Sequence, residues 1–189
     1  MLKDLRGILL IVILMGIIAS CSKYEDPQSA VSGDSFTNAY CNDPEAVNYN
    51  NGFPGKPDNS QCFYPTDVFA GTYAYEGQRS YSYEYKFAGD AKFDITLKPV
   101  SRTKLGVYGV CPDGAFLSFT ADRFYRAVGD STFMVDSIKM PGQIFCGNIK
   151  DTLTGIITRT PYSDTLTVSF TVVSDTGILY HTGRAIKKK

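Results

Sequence analysis

The chain has 189 residues, 19 Lys and Arg against 19 Asp and Glu, and a single histidine. Lys3, Asp4 and Arg6 lie in a leader that reads as cleaved, so 17 basic and 18 acidic residues remain, in a length that suits one domain with its own core. So even a balance offers no basic stripe to replace condensed counterions, which argues against nucleic-acid binding. The Lys187, Lys188, Lys189 run is expected to be a solvated end.

Residues 1–20 read as a signal peptide: a short charged start, an apolar run from Ile8 to Ile18, and small residues at Ala19 and Ser20. The apolar run is below the roughly 17–25 residues needed to span a bilayer. Ile18-Ala19-Ser20-Cys21 is similar to the lipobox of bacterial lipoproteins, an aliphatic residue and two small ones before the cysteine that is acylated, palmitate included, and becomes the new N-terminus. The resemblance implies a membrane partner, reached through lipid on Cys21. Residues 21–40 are polar and small with no apolar period, so they are expected to form a flexible tether. Ser22 is not the Asp of the best-known inner-membrane retention rule. Lys23, Glu25 and Asp26 are loosely similar to the charged tether starts of surface lipoproteins. The outer membrane is therefore the expected address, with the leaflet left open.

Removing Cys21 leaves Cys41, Cys62, Cys111 and Cys146, enough for two disulfides in an oxidising compartment and compatible with three pairings. Residues 41–65 contain Cys41-Asn42-Asp43-Pro44-Glu45-Ala46-Val47-Asn48-Tyr49-Asn50 and later Asp58-Asn59-Ser60-Gln61-Cys62-Phe63-Tyr64. This resembles a short module of secreted and surface proteins of Bacteroidota, with the pattern Cys-x-Asp-Pro-x-Ala-x-Asn-Tyr-Asn. The usual Asp-Asp-Gly turn is missing here. So few aliphatic residues cannot build a core, and a closure from Cys41 to Cys62 would contribute roughly 3 kcal/mol. Asp43, Asn48, Asn50 and Asp58 are oxygen donors that such a closure would gather, which makes calcium the one cofactor to consider. The alternative is that they serve turns and caps.

From residue 66 to 189 the pattern is all-β. Ser80 to Phe87 alternates with Tyr81, Tyr83, Tyr85 and Phe87 on one face, which predicts one strand. Phe93, Ile95 and Leu97 predict the next. Leu166, Val168, Phe170 and Val172, opposed by Thr165, Thr167, Ser169 and Thr171, predict another near the end. Turns are expected at 88–90, 112–114, 128–130, 161–163 and 174–177. Short strands at intervals of about 8–12 residues indicate an antiparallel meander, closed as a barrel or folded as a sandwich. Cys111 and Cys146 sit at strand ends and pair if those ends share a rim; the alternative ties each to Cys41 or Cys62.

The opening Phe69-Ala70-Gly71-Thr72-Tyr73 and the closing His181-Thr182-Gly183-Arg184-Ala185-Ile186 resemble lipocalin-like domains of lipoproteins from the same bacteria. That resemblance implies a barrel whose last strand returns beside the first, with Arg184 covering Tyr73. Tyr81, Tyr83 and Tyr85 would line a ligand cavity in an open barrel, or pack as core. No catalytic residues are assigned: His181 is expected on the surface of the last strand, and no nucleophile or zinc motif accompanies it. The expected function is a non-catalytic outer-membrane lipoprotein that binds a small apolar ligand or an envelope protein. The alternative is a structural or accessory lipoprotein with no small ligand.

Overall fold

A computed structural model describes residues 36–81, 87–131, 134–135, 138–139 and 141–189. The leader, Cys21 and most of the tether lie outside the described residues, as do Tyr83 and Tyr85. Asn38–Lys189 forms one compact unit.

The unit starts with the small module. Strands β1 (Ala39–Tyr40) and β2 (Lys56–Pro57) pair in parallel, a 3-10 turn spans Asn59–Gln61, and Cys41 is bonded to Cys62. Helix α1 (Pro65–Phe69) follows, with a proline in its first turn and the Asp67 carboxylate accepting from the Tyr64 N–H at 2.8 Å; both devices suit a helix start. Then come β3 (Gly71–Tyr81), β4 (Phe87–Pro99), β5 (Lys104–Tyr108), β6 (Leu117–Asp122) and β7 (Arg126–Gly129). A minor pair, β8 (Met134–Val135) and β9 (Ile138–Lys139), precedes β10 (Gln143–Phe145), β11 (Asn148–Arg159), β12 (Thr165–Ser174) and β13 (Gly177–Lys187).

Eight of these strands close an antiparallel barrel in the order β11, β12, β13, β3, β4, β5, β6, β7 and back to β11. The last strand returns beside the first, from Lys187 opposite Tyr73 to Leu179 opposite Tyr81. Closure depends on β11 changing partner along its length. Its first half pairs with β10, and Ile156–Thr158 then pairs with Val128–Arg126 of β7. A barrel leaves no unpaired edge to template aggregation.

Period two fills the interior. Tyr73, Tyr75, Ile95, Leu97, Leu105, Phe119, Leu153, Ile157, Leu166 and Ala185 are all at most 2% exposed, and burying each large apolar side chain contributes roughly 1.5–3 kcal/mol before entropy is counted. The predicted inward rows of β4 and β12 are both present. The two ends of the barrel differ. At the lower end α1 inserts Val68 and Phe69 into the core. There the Tyr73 hydroxyl donates to the Phe69 carbonyl at 3.0 Å, and Arg159 donates to the carbonyls of Val68 and, at 2.6 Å, Ser163. The charge that bears on Tyr73 is therefore that of Arg159, with Lys187 facing Tyr73 across the ladder, and not that of Arg184, which is exposed and lies opposite Glu76. Residues 184 and 185 take opposite faces of β13, and buried Ala185 holds the inward one. The module reaches the same end: Arg102 bonds Asp43 at 2.9 Å and lies over the Tyr64 ring.

At the upper end Cys111, in the loop after β5, is bonded to Cys146, between β10 and β11. Nearby, the Gln143 side chain accepts from the Ser118 N–H and donates to the Ser118 carbonyl, each at 2.8 Å. A side-chain amide thus completes a backbone ladder where β10 passes β6.

The turn expected at 128–130 is overturned, because Val128 and Gly129 belong to β7, and so is one expected strand. Ser80 to Phe87 is not one strand, because Ser80 and Phe87 are paired partners across β3 and β4. In sequence, 82–86 carry no glycine or proline to mark a turn, whereas Gly89, expected in a turn, lies within β4 at φ +114° beside an irregularity of the ladder. There glycine serves a bulge, where a positive φ costs it little.

Candidate functional site

The upper half of the barrel is where packing leaves polar groups unsatisfied. Inward positions run in rows across β12, β13, β3 and β4. Leu166, Ala185, Tyr75 and Phe93 form one row. Above it come Val168, Gly183, Gly77 and Ala91, then Phe170, His181, Arg79 and Gly89. The second row is small for a reason. The Tyr75 ring folds over it, so that a Cβ on Gly77 would lie 2.2 Å from the Tyr75 hydroxyl, and one on Gly183 would lie 2.9 Å from its ring. The tyrosine therefore points up the barrel, toward the third row.

In that row Arg79 and His181 stand opposite each other on adjacent strands. His181 stacks on Phe170, with ring centroids 4.5 Å apart and planes at 18°. Arg79 reaches across β4, where its Nη2 donates to the Asp90 carbonyl at 3.4 Å. Among the described residues, three buried polar atoms have no hydrogen-bond partner: the Tyr75 hydroxyl, Arg79 Nε and His181 Nδ1. All three belong to this one region. Such atoms are rare in folded proteins, and each costs on the order of 1–3 kcal/mol if left unpaired.

The electrostatics agree. Burial, and then the Arg79 charge, push His181 down to about 4, so at neutral pH it is an uncharged imidazole with one donor and one acceptor nitrogen. Burial raises Tyr75 above the usual phenol range, so it stays protonated. Arg79 makes no ion pair among the described residues. Below this tier Tyr75, Phe93, Ile95, Leu117, Ile157 and Phe170 help enclose a void of about 10 Å³, no more than about one water requires. The lower interior at that void is packed core.

Of the predicted ligand-lining tyrosines, Tyr81 shares the inward face of β3 with Tyr75 and Arg79 but stands 48% exposed at the upper rim. His181 departs from its expected surface position. The residues of β13 that alternate with it, Ile178, Tyr180 and Thr182, are not polar enough to identify the wet face from sequence. Three of the four calcium candidates are engaged in local side-chain hydrogen bonds. Asp43 accepts from Arg102, Tyr64 and the Glu45 N–H. Asn48 bridges the Phe63 N–H and the Gln61 carbonyl, Asp58 caps the Ser60 N–H, and Asn50 has a positive φ of 58°. Among the described residues, no three His, Cys, Asp or Glu side chains are grouped to hold a metal.

No family model, curated protein or solved structure matches the chain. Functional argument therefore rests on the site itself. Sequence reasoning missed Tyr75 and Arg79, though one signal was present: Tyr73, Tyr75, Gly77, Arg79 and Tyr81 alternate at period two with a glycine and a charge among aromatics.

Proposed function

We propose that this chain is a non-catalytic, lipid-anchored binding protein of the bacterial outer membrane, whose barrel takes a small ligand into its upper half. The observation that carries this reading is the convergence of three unpartnered polar atoms, from Tyr75, Arg79 and His181, above a solid apolar floor. Polar atoms fixed within an apolar wall are the usual composition of a small-molecule site. The lipid anchor at Cys21 follows from the lipobox resemblance and supplies the address, because two or more acyl chains hold a protein on a membrane effectively permanently.

Native mass spectrometry of protein purified from its own envelope tests the binding reading: a retained small molecule supports it. A second reading, a structural or accessory lipoprotein with no small ligand, is favoured by the filled lower barrel and predicts the bare mass. For the anchor, Cys21→Ser should release the protein from membranes or leave it as precursor. Carbonate-resistant membrane association of that variant after loss of residues 1–20 would overturn the lipidation.

A further inference from the structure

We infer that the ligand of the upper barrel carries an anionic headgroup, a carboxylate on an apolar body, held head-down against Arg79, His181 and Tyr75. This rests on the binding reading above and adds the ligand's chemical class. Arg79 is a permanent cation on the inward face of β3, partly buried, with its Nε enclosed, its Nη2 bonded at an exposed position, and no carboxylate partner among the described residues. A cation with one N–H withdrawn from water is stabilised by an opposite charge that also accepts that hydrogen bond. The unsatisfied Nε–H of Arg79 and the Tyr75 O–H both require an acceptor. In the tautomer protonated at Nδ1 the imidazole supplies a third donor to the same region.

A neutral alcohol or amide would accept from these donors and leave the guanidinium charge uncompensated. A carboxylate does both, and its two oxygens offer about four acceptor sites for the three donors. The surroundings set the rest. Phe170 and Phe93 flank Tyr75 with centroids 6.4 and 4.8 Å away, and the floor beneath has room for about one water at most. The charged end can therefore descend only to the Arg79 row. Above it, the next inward row is Val172, Leu179 and Tyr81, an apolar lining for an apolar body.

The test uses a matched pair of soluble probes, hexanoate and hexan-1-ol, titrated into the lipidated protein in a non-ionic detergent. The readouts are calorimetry and the ¹H–¹³C signals of the sole histidine ring. Hexanoate is expected to bind and shift the His181 signals, and hexan-1-ol to bind at least about tenfold more weakly, the usual scale of a charge-assisted hydrogen bond. Arg79→Met should weaken hexanoate to the level of the alcohol. Tyr75→Phe, which removes one hydroxyl from a packed ring and spares the fold, should weaken hexanoate severalfold without changing the alcohol. Equal binding of the two probes, unchanged in Arg79→Met, would overturn the anionic headgroup while leaving a barrel ligand in place. No binding of either probe, with a bare native mass, would overturn both readings and assign the three atoms to ordinary hydration.

Discussion

Replacing His181 by phenylalanine should abolish a loss of stability that the native chain undergoes between about pH 6.5 and pH 4. His181 is the one histidine of the chain, and its side chain enters the barrel uncharged, with Nδ1 buried and the ring stacked on Phe170. Its pKa is about 4 when folded against 6.5 unfolded. Because the folded value is the lower one, the unfolded chain binds the extra proton first as pH falls. Stability is therefore complete above pH 6.5, declines as pH drops toward 4, and levels off below that. At about 1.4 kcal/mol per unit the full shift would give at most about 2.5 kcal/mol between pH 7.5 and 4.5, and solvent screening of a half-buried ring lowers the expected loss to about 1–2 kcal/mol. For a domain of this size that corresponds to a fall in Tm of about 2–8 °C.

The carboxylates do not obscure this window. Asp43 is held below its ordinary value of 3.8 first by the Glu45 N–H, and Asp58 by the Ser60 hydroxyl and N–H. Burial works against charged Asp130, but hydrogen bonds from Lys104, Ser118 and Thr120 outweigh it and hold that group low as well. Their contributions are present above about pH 3.8 and are lost only below it. The assay is urea or thermal unfolding at pH 7.5, 5.5 and 4.5 for the native chain, His181→Phe and His181→Gln. Phenylalanine keeps the stacking partner and both variants remove the titration, so their curves should be nearly flat across the window. Parallel decline of native chain and His181→Phe would refute the reasoning. A useful cross-check is Arg79→Met, which removes the repelling charge and should raise the His181 pKa, as followed by its ring carbon shifts.

Other expectations follow from the same packing. Gly77→Ala places a Cβ 2.2 Å from the Tyr75 hydroxyl and 2.6 Å from the Thr182 carbonyl; overpacking of this kind should cost roughly 1–3 kcal/mol in denaturant unfolding, and an unchanged midpoint would mean that Tyr75 is free to leave the small-residue row. Breaking Cys111–Cys146 by double serine substitution opens a closure of 35 residues, for which chain entropy predicts a loss of about 4 kcal/mol, measured against the native chain under non-reducing conditions. Arg159→Met removes the donor to Val68 and Ser163 and should expose α1 to limited proteolysis while amide protection in the β12–β13 hairpin stays native.

Sequence alone determined the elements governed by local periodicity and turn chemistry. The β12 row of Leu166, Val168, Phe170 and Val172 reads correctly because threonine and serine occupy the opposing positions from 165 to 171, leaving one possible buried face. The hairpin at 174–177 reads correctly because Ser-Asp-Thr-Gly admits little else, and the return of β13 beside β3 was legible only through a resemblance. Tertiary structure decided what local pattern leaves ambiguous. Ser80 to Phe87 alternates as well as any strand, yet it spans a hairpin, because register across β3 and β4 is set by rows of inward contacts many residues away. The face of His181 depends on Ala185 and Gly183 taking inward positions, where small side chains make room for Tyr75. Four cysteines allow three pairings, and the barrel selects one by bringing Cys111 and Cys146 to the same rim. The meeting of Tyr75, Arg79 and His181 arises from barrel closure, which sets β13 against β3, so residues about a hundred positions apart in the chain become neighbours.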